Sequence, residues 1–311
     1  MAAFAFAVGQ RAPVALLAGL AVAVGASLPA TTTGMRVLWP VLVTDVRLRA
    51  AAYAVLATQF QVAMVMGPLL VSGLLLVGGP ATVLLVAGGL AGGGGLLLAG
   101  TPVSRSWRPV PGTSRRRADR TSAGVRTLIA GSVGAGAAAG MLTVGVPAAA
   151  TAQHSAALAG LLFAAFSAGE LLGGIAYGGV SWRWSPARRL VAAQLATAGS
   201  MASLAWLVDA PLWMLPAMFA VGLSAAPVSI TNSALLDDVA PPGALARGYT
   251  VMVAAGLLGS AGGNAAGGLL NRASDQAPLF ATAAALMATV ALWTALRRRT
   301  VETLTPVMPG D

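Results

Sequence analysis

Residues 101–122 read TPVSRSWRPVPGTSRRRADRTS. Proline, glycine and serine interrupt helix propagation, and clustered arginines favour solvation, so the segment predicts a polar connection with no helix through its middle. On both sides the sequence turns apolar for long runs. A helix needs about 20 mostly apolar residues to cross some 30 Å of hydrocarbon. Stretches 13–33, 51–77 and 81–100 qualify before the connection, and 124–148, 155–179, 188–207, 211–235, 248–270 and 277–296 after it. The expected fold class is therefore an all-α polytopic membrane protein of about nine transmembrane helices, in a three-plus-six arrangement.

Composition supports that reading. Of 311 residues, 57% are hydrophobic and 9% charged, with a mean hydropathy of +0.80. Water-soluble domains carry about a quarter charged residues, so this chain lacks the polar surface to cover itself in water. Lipid is the solvent that fits. All 19 basic residues are arginine, and they cluster between apolar runs instead of lining one helix face, so the positive charge reads as topology and no nucleic-acid partner is expected. Cysteine is absent and His154 is the single histidine, which excludes disulfides, thiol chemistry and zinc sites built on those residues. His154 falls at a span boundary and reads as solvated. No catalytic residues, metal or cofactor are expected, and the glycine run at 91–95 lacks the Lys-Ser/Thr of a nucleotide-binding loop. The chain reads as no enzyme.

Orientation follows from arginines counted by loop. Arg36, Arg47 and Arg49 fall in one loop, and Arg105, Arg108, Arg115, Arg116, Arg117, Arg120 and Arg126 in the next on that side. Arg183, Arg188 and Arg189, then Arg247, then Arg297, Arg298 and Arg299 complete the same face. Arg11 and Arg272 alone fall opposite. The arginine-rich side is expected to be cytoplasmic, with the C-terminus there, in a multi-pass protein of the plasma membrane.

Helices in lipid associate where small residues let backbones approach. The spacings Gly88–Gly92, Gly136–Gly140, Gly169–Gly173, Gly174–Gly178 and Gly259–Gly263–Gly267 are candidates, the triple step marking 248–270 for a tight crossing. Codon bias towards alanine, glycine and arginine accounts for part of this glycine content. Pro29, Pro68, Pro216 and Pro227 are expected to kink their helices, either for packing or along a transport path.

Local motifs carry a resemblance. Met66 to Leu74 (MGPLLVSGL) resembles the fifth-helix Gly-Pro motif of the major facilitator superfamily, with Gly67, Pro68 and Gly73 in place and Ala63 where the antiporter version has glycine. Gly34 to Ala54, with Arg36, Trp39, Pro40, Arg49 and Tyr53, is similar to the loop between helices four and five in actinobacterial members. Gly173 to Leu190 (GGIAYGGVSWRWSPARRL) resembles the signature loop joining helices eight and nine, with Gly179, Arg183, Arg188 and Arg189 matching and the usual Asp absent. Asp237 to Leu269 resembles the tenth loop and eleventh helix. The resemblance implies two helix bundles joined by a basic cytoplasmic loop. It implies a partial N-terminal bundle over 1–100 (a stub at 1–10 plus three spans, matching helices four to six), the linker 101–122, a six-helix bundle over 123–300 and a tail at 301–311. The first three helices of the family are then missing. It further implies secondary active transport of a small molecule, expected to be proton-coupled efflux by alternating access. The alternative is a truncated or degenerate membrane protein that moves nothing, or a subunit needing a partner or the missing helices. Lipid, a small-molecule substrate and protons are the expected partners.

Within the spans one carboxylate stands out. Of nine acidic residues only Glu170 falls mid-span, flanked by AFSAG and LLGG. An ionised carboxylate at the bilayer centre costs about 2.5–3.5 kcal/mol on insertion scales, so such a group readily takes and releases a proton. Glu170 is the candidate proton-coupling residue; the structural alternative is a protonated side chain hydrogen-bonded to a neighbouring helix. Gln59, Gln61, Asn232 and Asn264 are candidates for the substrate pathway, or for hydrogen bonds tying helices together. The resemblance assigns Gly67, Pro68, Gly73, Arg183, Arg188 and Arg189 to conformational motifs.

Overall fold

The computed structural model describes residues 2–10, 12–27, 46–102, 105, 122–240, 245–271 and 276–302. Helices in chain order are α1 (Ala2–Gly9), α2 (Val14–Ser27), α3 (Val46–Gly100), α4 (Ala123–Ala152), α5 (Ala156–Gly178), α6 (Pro186–Leu207), α7 (Pro211–Val239), α8 (Leu245–Leu270), α9 (Ala277–Leu296) and α10 (Arg298–Val301). Among the described residues there is no strand, and 7 helices are long and apolar enough to cross a membrane. A shorter apolar helix, Val14–Ala26, adds to these. The fold is all-α and polytopic. The chain divides into two compact units, Met1–Thr113 and Ser114–Asp311.

In the first unit the two expected spans 51–77 and 81–100 fall within one helical run, α3, of 55 residues. At about 1.5 Å per residue that run is far longer than one crossing of a ~30 Å core. The backbone leaves helical geometry once, at Gly79 (φ 72°, ψ −173°), between the two expected segments. Pro80 accounts for the position, because a residue preceding proline is pushed out of the α region. The Thr82 hydroxyl donates to the Gly78 carbonyl at 2.7 Å, tying the break locally. A left-handed φ with extended ψ is accessible essentially to glycine alone. Gly79→Ala is therefore expected to cost about 1–3 kcal/mol, read as a lower unfolding midpoint in detergent. An unchanged midpoint would count against this geometry. The first expected span, 13–33, is helical through Ser27, and Pro29 lies outside the described residues.

The second unit holds the six helices α4–α9. Two of their starts carry side-chain caps: Ser122 accepts from the Val125 amide at 3.2 Å, and Ser185 caps α6 just ahead of Pro186. Proline also stands inside α4 (Pro147) and α7 (Pro216, Pro227). The most extensive packing joins α4 to α8, α5 to α7 and α6 to α9, followed by α6 with α7 and α4 with α9. The pattern repeats. The triplet α4–α5–α6 is answered by α7–α8–α9, so that α4 against α8 corresponds to α7 against α5.

Glycines set the two closest crossings. A Cβ on Gly259 would run into the Val133 carbonyl oxygen of α4, and one on Gly263 into that of Ala137. From the other side, Gly136 and Gly140 face the carbonyls of Gly256 and Ser260. The α5–α7 crossing copies this layout: Gly169 and Gly173 face the carbonyls of Phe219 and Leu223, and Gly222 faces that of Phe166. The triple step thus does mark a tight crossing, with Gly267 against Val144 and Met141 at ordinary or slightly tight distances of 3.3–3.5 Å. Gly178 has open space around it and Gly174 meets only Ile230 Cδ1 at 4.0 Å, so Gly174–Gly178 sets no such crossing among the described residues; Gly92 likewise has nothing within 4 Å.

Between these pairs lies an apolar core of Leu162, Leu190, Leu204, Met214, Met218 and Phe280, all buried. The outside is apolar too: Leu257, Leu258, Trp206 and Leu212 are largely exposed. Helices hydrophobic on core and outer faces alike belong in lipid. At the arginine-bearing end, polar ties knit the helix termini. The Ser122 hydroxyl donates to the Val239 carbonyl at 2.9 Å, Thr127 and Thr300 hydroxyls meet at 2.9 Å, and Ser185 donates to Glu302 Oε1 at 2.9 Å. The single turn α10 anchors there through the fully buried Val301.

Candidate functional site

Glu170 lies in the middle of α5, one residue past Gly169 and so beside the α5–α7 crossing. A Cβ at Gly222 would meet the Glu170 amide nitrogen as well as the Phe166 carbonyl, which fixes how near α7 runs to this carboxylate-bearing turn. The Glu170 side chain is half-buried. Among the described residues no charged group or hydrogen-bond donor holds it. It is also the one acidic side chain mid-way along a described membrane-spanning helix, since Asp237 and Asp238 stand at the exposed end of α7. Such a carboxylate can change protonation without orphaning a partner.

Asn264 does make a partner. It accepts a hydrogen bond from the Thr143 hydroxyl across the α4–α8 crossing, a turn beyond the Gly140 contact with Ser260. Interhelical bonds of this kind average about 0.6 kcal/mol. Thr143→Val is expected to lower the unfolding free energy in detergent by about that much while leaving transport intact. Transport lost at unchanged stability would instead place Asn264 on the substrate path. Asn232 is half-buried on α7. Gln59 is exposed on α3, in the other unit, and the Gln61 side chain lies outside the described residues. Gly67 and Gly73 have open space where a side chain would go, and Pro68 stands with them inside α3. Within the second unit, Glu170 and Asn232 lie on the paired helices α5 and α7, and Asn264 on α8.

The loop arginines divide by environment. Arg183 and Arg188 are exposed, whereas Arg189 is half-buried. Its Nη1 donates to the Tyr177 hydroxyl at 3.0 Å, and its guanidinium carbon lies 5.7 Å from the Tyr177 ring centroid. Tyr177, on the last turn of α5, is buried and its hydroxyl also meets Thr231 of α7 at 2.8 Å. Trp182 Nε1 donates to the Tyr177 carbonyl at 2.9 Å, with the two rings 4.9 Å apart. Tyr177 therefore ties α5, α6 and α7 at one end. These groups, with Trp184, wall a cavity of about 410 Å³ over Leu223 and Pro227. Tyr177 and Trp182 fall within the loop motif, but the sequence alone gives neither a role. The available signal was the density of aromatic and cationic residues in so short a connection. Gln194 gives no sequence signal either, yet it is 1% exposed in the core, and its Oε1 has no partner among the described residues. His154 is exposed in the turn between α4 and α5, at a φ of 56°.

Apolar helices of membrane-crossing length that pack at glycine contacts define a multi-pass membrane protein, and among the described residues one mid-span carboxylate stands without a partner. The chain belongs to the major facilitator superfamily, whose sequence model matches residues 1–264 and, in a second match, 128–307. No curated protein is similar enough to the chain to match it.

Proposed function

We propose that this membrane transporter works by proton-coupled secondary transport, exporting a small molecule by alternating access, with Glu170 as the coupling carboxylate. The observation that carries the reading is the isolation of Glu170, a mid-span acid without a charged partner beside the glycine-paired crossing of α5 and α7. In alternating access, bundles rock about a midplane site as near-rigid bodies. Backbones in contact at Gly169, Gly173 and Gly222 suit that motion, since they hold α5 and α7 as one unit. The arginine-rich face is assigned to the cytoplasm on the positive-inside rule, with the protein in the plasma membrane. The test is substrate flux in proteoliposomes with and without a pH gradient, comparing the native chain with Glu170→Gln. Flux that responds equally to the gradient in both would remove the assignment.

A further inference from the structure

The cavity at the arginine-bearing ends of α5 and α6 is chemically two-sided. Its floor is apolar, formed by Ala176, Val180, Leu223 and Pro227, and its rim carries Arg189, Trp182 and Trp184. Arg189 uses Nη1 on Tyr177, while its buried Nε–H finds no acceptor among the described residues. A buried donor left without an acceptor is unfavourable, and a bound anionic oxygen would satisfy it. Arg183, in the connection between α5 and α6, and Arg188, beside Arg189 on the first turn of α6, are both exposed, though neither lines the cavity. Glu302 meets this connection through its Oε1, which Ser185 engages, so one carboxylate stands against the three arginines of the connection and leaves it positive.

The position matters as much as the charge. α5 ends at Gly178 and α6 begins at Pro186, so the rim lies where helices leave the hydrocarbon. Both tryptophans are exposed there, as aromatic side chains are at membrane interfaces. Basic pockets between transmembrane helices at an interface suit anionic lipid headgroups.

We propose that this cavity binds one anionic phospholipid, its phosphate at Arg189, with Arg183 and Arg188 of the same connection adding positive charge to the surface around it, and its acyl chain along the apolar floor. A soluble anion would satisfy the rim and leave the floor bare. A zwitterionic lipid would fill the floor but gain nothing net from three cations. The site is separate from Glu170 and does not depend on proton coupling.

The test uses the full chain in vesicles of phosphatidylcholine containing either dibrominated phosphatidylglycerol or dibrominated phosphatidylcholine at matched fractions. Bromine quenches tryptophan fluorescence on contact. The Trp182→Phe/Trp184→Phe variant defines the background of the other five of the 7 tryptophans. The expected result is stronger quenching of the Trp182/Trp184 component by the anionic lipid, weakening as salt rises. Because Arg189 also holds Tyr177, the charge test uses Arg183→Gln/Arg188→Gln, whose side chains are exposed. Each removed arginine should lower the anionic preference about five-fold, the equivalent of roughly 1 kcal/mol per basic residue at such a surface. Equal quenching by both lipids, or a preference indifferent to the arginine changes, overturns the proposal. So does relief of quenching by millimolar inorganic phosphate, which would mark a site for soluble anions.

Discussion

Leucine in place of Gly263 is expected to prevent the six-helix unit from folding, and alanine there to lower its unfolding free energy by about 1–3 kcal/mol. The sign of the alanine result is decided by two opposed effects. Alanine gains about 1 kcal/mol over glycine in helix propensity. Against that, its methyl would occupy the space of the Ala137 carbonyl oxygen on α4. A clash with a flexible side chain relaxes by a change of rotamer. A clash with a backbone carbonyl relaxes only if the two helices move apart, and that would strip contact from the whole α4–α8 face. Gly259 meets Val133 in the same way, so the two changes should behave alike. The control is on the next residue: Gly262 has open space where a Cβ would go, and Gly262→Ala should be neutral or slightly stabilising. Unfolding in detergent, followed by circular dichroism, measures all three. Equal stability of the Gly262 and Gly263 alanine variants would sink the crossing as described.

That contrast also shows how far the sequence could be read. A four-residue glycine spacing says that a helix has one smooth face; it does not say whether another helix lies on it. Gly136–Gly140, Gly169–Gly173 and Gly259–Gly263 meet backbones, whereas Gly92 and Gly178 meet nothing within 4 Å. Partner identity is a long-range property, and α7 illustrates it, since its contribution to the α5 crossing is Gly222 with no repeat to announce it. The six spans after the arginine-rich connection were legible because length and hydropathy alone determine them. Spans 51–77 and 81–100 were legible as apolar segments but not as one run, because the break between them is a single residue, Gly79. The Tyr177–Thr231–Arg189 cluster was not legible at all. It joins residues 54 and 12 positions apart through hydroxyl and guanidinium groups whose meeting depends on the packed bundle. Glu170 was legible as a position, since a mid-span acid is conspicuous. Its lack of a partner was not.

Glu170→Gln is expected to uncouple transport, reducing gradient-driven flux to the level seen without a pH gradient while leaving the fold intact. Glutamine keeps the length, shape and hydrogen-bonding capacity of a protonated glutamate. At a half-buried position with no charged partner it should therefore cost little in packing or stability. What it loses is the ability to ionise. Holding an ionised carboxylate at the bilayer centre costs about 2.5–3.5 kcal/mol, a bias against the charged form when water is excluded. When the site opens to water that bias falls, and the proton can leave. Alternation of the two environments is thus enough to tie proton release to one orientation of the bundle, and glutamine removes the tie by being neutral in both. Glu170→Asp retains the titrating group on a side chain shorter by one methylene and should preserve coupling at a lower rate. The paired result distinguishes the two roles open to this residue. Loss of coupling in the glutamine variant with partial function in aspartate marks a proton carrier. Full coupling with glutamine would mean that Glu170 serves as a neutral hydrogen-bonding group of the α5 helix, with the proton path elsewhere.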